Sequence, residues 1–298
     1  MISFTEYSEN LKTAPIGKGL SYWEKGQGQT LIFLHGALAN GYTWRKVLPE
    51  LSKYYRCIVP HLPLGGHQIP IRENIDLSPI GIAHIIKDLM DYKQIKSCTI
   101  IANDTGGAYA QVFASYYPGK VVGMVLSNCE GADVFPPPSF AYLRYAVRVP
   151  FFLSLMSMSL RVKGILKHPL MFGKLSLSVT TEELRRGYFA SFIQNSAIRK
   201  DFKKAVKYWH PSFTLMAAQK LRTFQVPVLI VWGNRDIALF PKQQMQKLLK
   251  VFPNAQWIEI NHSKTYIQED APEQLTHVIK QYMNGKSDSE GKEIKPQV

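Results

Sequence analysis

Six short apolar segments, each rich in β-branched residues, alternate along the chain with segments of helical pattern. The apolar segments are TLIFLH (30–35), YRCIVP (55–60), SCTIIAN (97–103), VVGMVLSN (121–128), VPVLIVWG (226–233) and QWIEIN (256–261). Strands this apolar require cover on both faces. The helical patterns occupy residues 41–53, 78–93, 106–117, 241–252 and 271–283. The alternation therefore predicts an α/β fold with a doubly wound, mostly parallel sheet.

The alternation stops after the fourth apolar segment. A Pro-rich stretch, Phe-Pro-Pro-Pro at residues 135–138, opens a long block that is helical in pattern, basic, and rich in Met and aromatic residues. We predict an inserted helical cap at residues 139–222, between a first part of the core at 1–138 and a second part at 223–284. Residues 285–298 are polar and low in apolar content, so we expect a disordered tail there.

The positive charge of the chain is concentrated in the cap segment. The net charge is +14, and residues 139–222 contain 15 Lys and Arg against three acids, a net of +12. Such a segment is able to attract anionic lipid, nucleic acid or an acidic substrate, but no nucleic-acid recognition motif accompanies it. We therefore expect no nucleic-acid partner, and contact with a membrane surface through the basic cap stays open.

The cysteines and the N-terminal residues bear on the cellular compartment. Cys57, Cys98 and Cys129 lie in or beside apolar segments, and their odd number and spacing favour neither a disulfide framework nor a zinc site. The N-terminus is acidic and polar where a signal peptide is basic and then apolar. No window reaches the ~18 to 20 apolar residues of a membrane span. We expect a cytoplasmic protein with no metal and no cofactor.

The segment SCTIIAN runs directly into Asn-Asp-Thr-Gly-Gly, residues 103–107, and then into a helical pattern. Glycines close behind an acid suit a strained turn between a strand and a helix. Here the sequence resembles the α/β-hydrolase superfamily, whose turn reads small-x-nucleophile-x-Gly. The resemblance implies that Asp104 is the nucleophile, as in the haloalkane dehalogenase and epoxide hydrolase branches, where a carboxylate forms a covalent ester. The alternative is an Asp that caps the following helix.

The resemblance also implies an oxyanion hole and an acid. His-Gly at residues 35–36 matches the oxyanion loop, so the backbone N–H groups of Ala37 and Thr105 are expected to face the developing negative charge. The superfamily carries its acid at one of two positions, and both hold a carboxylate here. Asp236 follows the segment that ends in Trp-Gly-Asn and is the first candidate, and Glu130 follows Ser-Asn-Cys and is the alternative.

The base histidine is the component that the sequence leaves open. The family pattern after the last strand is His-apolar-x-x-Glu-x-x-Pro, and this chain reads Thr-Tyr-Ile-Gln-Glu-Asp-Ala-Pro at residues 265–272. In ungapped register Thr265 occupies the base position, and His262 lies three residues earlier. Three residues of extended chain span ~10 Å, more than the ~3 Å over which a base accepts a proton. His262 is therefore the base only if the loop folds back.

Two departures from the known branches bear on the substrate. Haloalkane dehalogenases bind the leaving halide with an Asn after His-Gly and a Trp after the nucleophile, and this chain has Ala37 and Thr105 there. Epoxide hydrolases have a Pro where this chain has Leu38, and two cap tyrosines that protonate the opening oxygen. The candidates for those tyrosines are Tyr142, Tyr145, Tyr188 and Tyr208.

We predict a hydrolase that acts on a small hydrophobic substrate through a covalent ester on Asp104, with an epoxide, ester or halide type of leaving group. The Met-rich and aromatic cap suits an apolar ligand. Two alternatives remain: a binding protein that has lost the base, and a peripheral membrane hydrolase docked through the cap. The sequence does not set the oligomeric state.

Overall fold

The computed structural model describes residues 1–168 and 172–285. Eight strands form one sheet at the centre of the fold. The strands are β1 (Leu11–Ala14), β2 (Leu20–Lys25), β3 (Thr30–Leu34), β4 (Arg56–Pro60), β5 (Cys98–Asp104), β6 (Val121–Cys129), β7 (Val228–Gly233) and β8 (Ala255–Ile260). Their order across the sheet is β1-β2-β4-β3-β5-β6-β7-β8.

Strands β3 to β8 pair in parallel, whereas β1 pairs with β2, and β2 with β4, in antiparallel fashion. All six predicted strands are present, and the predicted α/β class with a mostly parallel sheet is confirmed. Strands β1 and β2 were not predicted. Strand β1 is a short edge strand with two exposed residues, so it lacks the continuous apolar pattern of the buried strands.

Thirteen α-helices lie in the described residues. They are α1 (Phe4–Glu9), α2 (Leu48–Leu51), α3 (Pro79–Tyr92), α4 (Thr105–Tyr116), α5 (Leu143–Ala146), α6 (Phe152–Ser159), α7 (Lys163–Leu166), α8 (Ala190–Gln194), α9 (Ser196–Val206), α10 (Pro211–Leu221), α11 (Lys242–Leu249), α12 (Ile267–Asp270) and α13 (Pro272–Gly285). A π-helical turn spans Glu183–Tyr188, and short 3₁₀ turns include Gly41–Trp44.

Local chemistry explains where two of the predicted helices begin or break. The hydroxyl of Ser78 accepts from the N–H of Gly81, so α3 begins at the predicted cap. The predicted helix at 41–53 is instead a 3₁₀ turn followed by α2. Asn40 caps the 3₁₀ turn through the N–H of Tyr42, and Pro49, which has no N–H to donate, fits only the start of a new helix.

Every element between β6 and β7 in the described residues is helical, and buried polar pairs join this region to the sheet. The guanidinium of Arg45, which is fully buried, forms ion pairs with Glu269 and with Glu183. On another side, Nε2 of His67 lies 3.0 Å from Oδ2 of Asp201, which also accepts from the N–H of Ile71. Separating the partners of such a pair would leave a buried charge uncompensated, which is costly. These pairs therefore favour one orientation of the cap relative to the rest of the protein. The division at residues 138 and 222 stays a prediction.

The carboxyl-terminal helix α13 ends at Gly285, the first residue of the tail expected at 285–298, and residues 286–298 lie outside the described residues. Among the helices described, none has the length and apolar character that crossing a bilayer requires.

Candidate active site

Asp104 ends β5, and α4 begins at the next residue. Its backbone has φ 54° and ψ −136°, a region that non-glycine residues rarely adopt. Such a conformation costs roughly 1–3 kcal/mol and persists where the surrounding fold imposes it. The carboxylate does not cap α4, which removes the alternative role that the sequence allowed. The turn instead projects Asp104 from the carboxyl edge of the sheet.

Backbone groups of two loops surround the Asp104 carboxylate. The N–H groups of Ala37 and Thr105 donate hydrogen bonds to it, so the two predicted oxyanion-hole residues converge on Asp104. Gly36 makes this approach possible, because a Cβ at that position would lie 1.9 Å from Oδ2 of Asp104. In a covalent ester on Asp104, the same N–H groups would face the carbonyl oxygen that becomes negative during hydrolysis.

Burial governs the protonation of Asp104. Removal from water raises the pKa of its carboxyl to about 7, and the charge of Asp236 adds to the increase. The hydrogen bonds from the N–H groups of Thr105 and Ala37 act in the opposite direction, because they stabilise the carboxylate. Asp104 is therefore partly ionised near neutral pH. The ionised form is the one that nucleophilic attack by a carboxyl group requires.

Asp236 follows β7 and is buried among four hydrogen-bond donors. Its Oδ2 accepts from the hydroxyl of Thr265 at 2.5 Å and from the side-chain amide of Asn128 at 3.1 Å. Its Oδ1 accepts from the N–H groups of Leu239 and Phe240 at 3.1 and 3.2 Å. Burial raises the pKa of Asp236, and these four donors oppose that increase. Asp236 therefore orients a threonine hydroxyl, where the family pattern has an imidazole.

His262 does not line the cavity at Asp104. His262 is exposed in the turn after β8, has a positive φ of 56°, and donates its backbone N–H to Oδ1 of Asn234. Thr265, in contrast, is fully buried beside Asp236. The structure therefore places Thr265 beside Asp236 and leaves His262 exposed at the turn, where its N–H is bonded to Asn234.

Glu130, which the sequence offered as the alternative acid, follows β6 and lines the same cavity as Asp104. Its Oε1 accepts from the hydroxyl of Thr105 at 3.0 Å, and its buried Oε2 has no hydrogen-bond partner in the described residues. Burial, followed by the charge of Asp104, raises the pKa of Glu130 well above its usual range. A carboxyl in this environment carries a proton near neutral pH.

A cavity of about 60 Å³ joins these groups under the cap. Its wall is mostly apolar, with Asp104 and Glu130 as the two carboxyl groups that reach it. The lining residues are Ala37, Leu38, Asp104, Thr105, Glu130, Pro137, Phe140, Tyr142, Leu143, Met156, Phe172, Leu175, Phe202 and Trp209. None of these residues is a histidine. Of the candidate cap tyrosines, only Tyr142 lines the cavity.

A larger hollow of about 1060 Å³ lies at the opposite edge of the sheet. It is lined by residues at the amino ends of the strands, among them Thr30, Cys98, Val228 and Ala255. Ligands of open α/β sheets bind beyond the carboxyl ends of the strands, so the smaller cavity at Asp104 is the candidate active site.

Asn103 is a residue whose role the sequence did not reveal. Its amide donates to the carbonyl oxygens of Ser127 and Thr265, and its Oδ1 accepts from the side-chain amide of Gln268. Asn103 thus joins β5, β6 and the loop after β8. The only sequence signal was its place in the motif before Asp104, and a buried amide there gave no indication of its distant partners.

His35 is a structural residue, as its position at the end of β3 indicated. Its Nε2 accepts from the N–H of Leu62 at 2.9 Å, and Nδ1 therefore donates to the carbonyl of Gly36 at 2.8 Å. Burial lowers its pKa to about 4. A neutral ring with both nitrogens engaged holds the oxyanion loop in place.

Comparison with known families decides the classification. The sequence model of the α/β hydrolase fold matches residues 29–272, which is most of the chain. The chain belongs to the α/β hydrolase family. The sequence predicted an enzyme of the α/β-hydrolase fold, and the family match confirms this prediction.

Relatives of this α/β hydrolase come from several branches. A cis-3-alkyl-4-alkyloxetan-2-one decarboxylase of Shewanella oneidensis is 26% identical over 285 residues, covering 90% of this chain and 86% of the relative. Epoxide hydrolase 1 of Caenorhabditis elegans is 23% identical over 273 residues, covering 85% of this chain and 64% of the relative. The crystal structure of an ancestral haloalkane dehalogenase has a TM-score of 0.75 at 20% identity, covering 94% of this chain and 100% of the other. The expected likeness to the dehalogenase and epoxide hydrolase branches is confirmed.

Proposed function

We propose that this α/β hydrolase opens a C–O bond of a small apolar electrophile by attack of Asp104, with Glu130 supplying the proton for the leaving oxygen. The observation that carries the proposal is the pair of buried carboxyl groups that line one cavity in different surroundings. Pairs of carboxyl groups whose environments separate their pKa values commonly divide nucleophilic and acid roles.

The hydrogen-bond partners support this division. Asp104 accepts two backbone N–H bonds, and these favour its carboxylate form. Glu130 accepts one hydroxyl and has a buried oxygen without a partner, an arrangement in which a proton is stable on that oxygen and available to a ligand. When one of two neighbouring carboxyls is ionised, the other is held neutral, so Asp104 attacks and Glu130 donates.

The two carboxyl groups exchange charge over one reaction cycle. In the first step a bond forms between Asp104 and carbon, the C–O bond breaks, and the Glu130 proton moves to the leaving oxygen. Asp104 is then a neutral ester and Glu130 a carboxylate. In the second step Glu130 takes one proton from water, and the hydroxide attacks the ester carbonyl. The ester bond breaks, and the alcohol leaves with the second proton of the water, which restores the Asp104 carboxylate. Acid and base duties on a single carboxyl also occur in retaining glycosidases.

This mechanism accounts for the threonine at the base position. Thr265 offers no group that accepts a proton near neutral pH, and no histidine lines the cavity in the described part of the chain. A carboxylate at Glu130 is a weaker base than an imidazole, so we expect hydrolysis of the ester to be the slower step. The described cavity wall offers a halide no free side-chain N–H, because Ala37 has none and the indole N–H of Trp209 donates to the hydroxyl of Tyr109. The Thr105 hydroxyl is bonded to Glu130.

A second candidate reaction needs no base at all, and the decarboxylase relative motivates it. Attack of Asp104 on C4 of an oxetan-2-one would open the ring and leave an alkyl ester with a free carboxylate on the adjacent carbon. Loss of CO₂ would then form the C=C bond and expel the Asp104 carboxylate. The products are an alkene and CO₂, and no water is consumed. The observation that favours this candidate is Thr265 in place of a base.

The test compares leaving groups in the Glu130→Gln variant. We expect the attack step on a small alkyl epoxide to slow by about 100-fold or more, because the opening oxygen needs a proton. The attack step on 1-bromobutane should change little, because bromide leaves without a proton. Glu273→Gln is a matched control, because Glu273 lies in the first turn of α13 and does not line the cavity.

Equal losses on both substrates would contradict the acid role of Glu130, and unchanged epoxide opening would do so as well. Product analysis with a 3,4-dialkyl oxetan-2-one separates the two candidate reactions. A hydroxy acid indicates hydrolysis, and an alkene with CO₂ indicates elimination.

A further inference from the structure

The first two helices of the cap expose a set of large apolar side chains. We call this set the cap surface. Its members lie in α5, in α6 and in the turns that flank them: Tyr142, Tyr145, Val149, Phe151, Leu155, Met158 and Val162, which are 53–79% exposed. Large exposed patches of this kind mark sites of contact with a protein or a membrane.

The spacing of these residues gives each helix one apolar outer face. Leu155 and Met158 lie three residues apart on one face of α6, and Tyr145 is the exposed aromatic residue of α5. The other members lie in the turns at the ends of these two helices. The opposite faces are occupied too, because Leu143, Val147 and Leu160 are buried. The helices are therefore packed against the protein through one apolar face and present a second apolar face to solvent.

Phe151 stands out within the cap surface. It is 79% exposed, and its backbone is left-handed with φ 61°, a conformation that is costly for a bulky residue. The residue after it begins α6. A strained backbone that holds an aromatic ring in water does not stabilise the folded state. Such strain is typical of a residue with a role in binding.

Positive charge surrounds the cap surface, and acidic charge is absent from it. No Asp or Glu occurs between Asp133 and Glu182. Arg148 and Arg161 are exposed and form no ion pair within the described residues, and Arg144 lies over the ring of Tyr145. Apolar side chains beside unpaired arginines match the boundary between acyl chains and anionic headgroups.

The cap surface also adjoins the active-site cavity. Tyr142 belongs to the surface and lines the cavity, and Leu143 and Met156 line the cavity from the same two helices. The helices that would touch a membrane are thus the ones that cover Asp104.

We propose that the cap surface binds an anionic lipid bilayer and that the apolar substrate reaches Asp104 from the acyl layer between α5 and α6. The second half of this statement rests on the proposed function, whereas the binding of lipid does not. A second copy of the chain is a poorer occupant, because a symmetric contact would bring the unpaired arginines of two copies together.

The binding test uses the full chain and vesicles, with no turnover involved. We expect co-sedimentation with phosphatidylglycerol–phosphatidylcholine vesicles that weakens as salt rises, and little with pure phosphatidylcholine. Phe151→Ser with Leu155→Ser should reduce binding at least tenfold through loss of apolar contact. Arg148→Gln with Arg161→Gln should reduce binding to the anionic vesicles and leave the weak binding to pure phosphatidylcholine unchanged.

The matched control is Leu215→Ser with Met216→Ser, which removes two exposed apolar side chains from α10 and should bind vesicles as the parent does. Circular dichroism and melting temperature establish that every variant is folded. Equal losses in the control would overturn the proposal, as would absence of vesicle binding at low salt or a dimer in solution that the Phe151→Ser, Leu155→Ser variant abolishes.

With lipid binding established, turnover separates the two proposals. Faster turnover of a membrane-dissolved epoxide by the parent than by the cap variant, at equal rates on a water-soluble epoxide, supports access from the acyl layer. Equal rates on both substrates would overturn that access. Failure of all turnover would count against the proposed function and leave the lipid binding intact.

Discussion

Two loops at the carboxyl edge of the sheet contribute to the active site, and they differ in what they retain. The turn after β5 holds Asp104 at a positive φ, with a carboxylate that lines the cavity. The loop after β8 has Thr265 where the family pattern has a histidine, and the threonine hydroxyl donates to Asp236. The turn after β5 keeps a carboxylate that lines the cavity. The loop after β8 keeps the hydrogen bond to Asp236 but has no histidine at the base position.

This difference separates the two halves of the reaction. Attack on carbon requires an ionised carboxylate, and hydrolysis of the ester requires a base. The framework is not degraded, since Asn103 still joins the loop after β8 to β5 and β6. The hydrogen-bond framework around Asp104 is therefore retained although Thr265 stands at the base position, and in the mechanism that we propose Glu130 carries the proton instead.

The first way to test the comparison is to remove the reactive group of the first loop. Asp104→Asn should lower turnover by at least about 1,000-fold, because an amide does not form the ester. Steady-state rates on a small epoxide measure this. Asp133→Asn, at an exposed residue paired with Lys247, is the control. Retained activity in Asp104→Asn protein that mass spectrometry shows to be free of deamidation would disprove the role of Asp104.

The second way is to restore the missing group of the other loop. Thr265→His should speed hydrolysis of the ester by up to about 100-fold, because Asp236 is in place to orient an imidazole there. Single-turnover kinetics isolate this step. Thr265→Ser, which keeps the hydroxyl, should leave the rate unchanged. A folded Thr265→His protein with no acceleration would show that the base position does not face the ester.

The third prediction concerns the cost of keeping Asp104 buried. Its pKa is raised to about 7 in the folded state, so the folded state holds the proton over a range of pH in which the unfolded chain has lost it. Stability is therefore lost as pH rises from about 4 to about 7. Asp104→Asn abolishes that loss and should stabilise the protein by on the order of 2 kcal/mol more at pH 8 than at pH 5.

Urea unfolding at the two pH values measures the difference in free energy of unfolding. The parent and the control Asp133→Asn should show the same dependence on pH, because Asp133 is exposed. A stabilisation by Asp104→Asn that is equal at pH 5 and pH 8 would mean that the carboxyl is not desolvated in the folded state.

Much of the fold was predictable because the buried parallel strands carry an unmistakable pattern. Strands β3 to β7 are buried, largely apolar segments, and the turn at Asp104 is marked by adjacent glycines. Strand β1 and the break near Pro49 were missed, since both depend on contacts and caps rather than on periodicity.

The site was predictable only in part. The resemblance to the α/β hydrolases placed Asp104, Ala37 and Thr105 together, and the structure brings these three residues to one place. The partners of Asp236 and Glu130 were not visible, because the hydroxyls of Thr265 and Thr105 reach them from distant parts of the chain. The sequence likewise left His262 open, and only burial decided between it and Thr265.

The covalent ester on Asp104 is the central claim, and one measurement tests it most directly. Glu130→Gln protein is incubated with excess 1-bromobutane over a long time course, because displacement of a halide without a donor is slow, and is then quenched, digested and examined by mass spectrometry. Attack needs no acid with this substrate, and hydrolysis lacks its base, so one butyl group should accumulate on the peptide that contains Asp104 and be absent when Asp104→Asn is added. Turnover of the parent without any such adduct in the variant, or a butyl group on another residue, would contradict nucleophilic attack by Asp104.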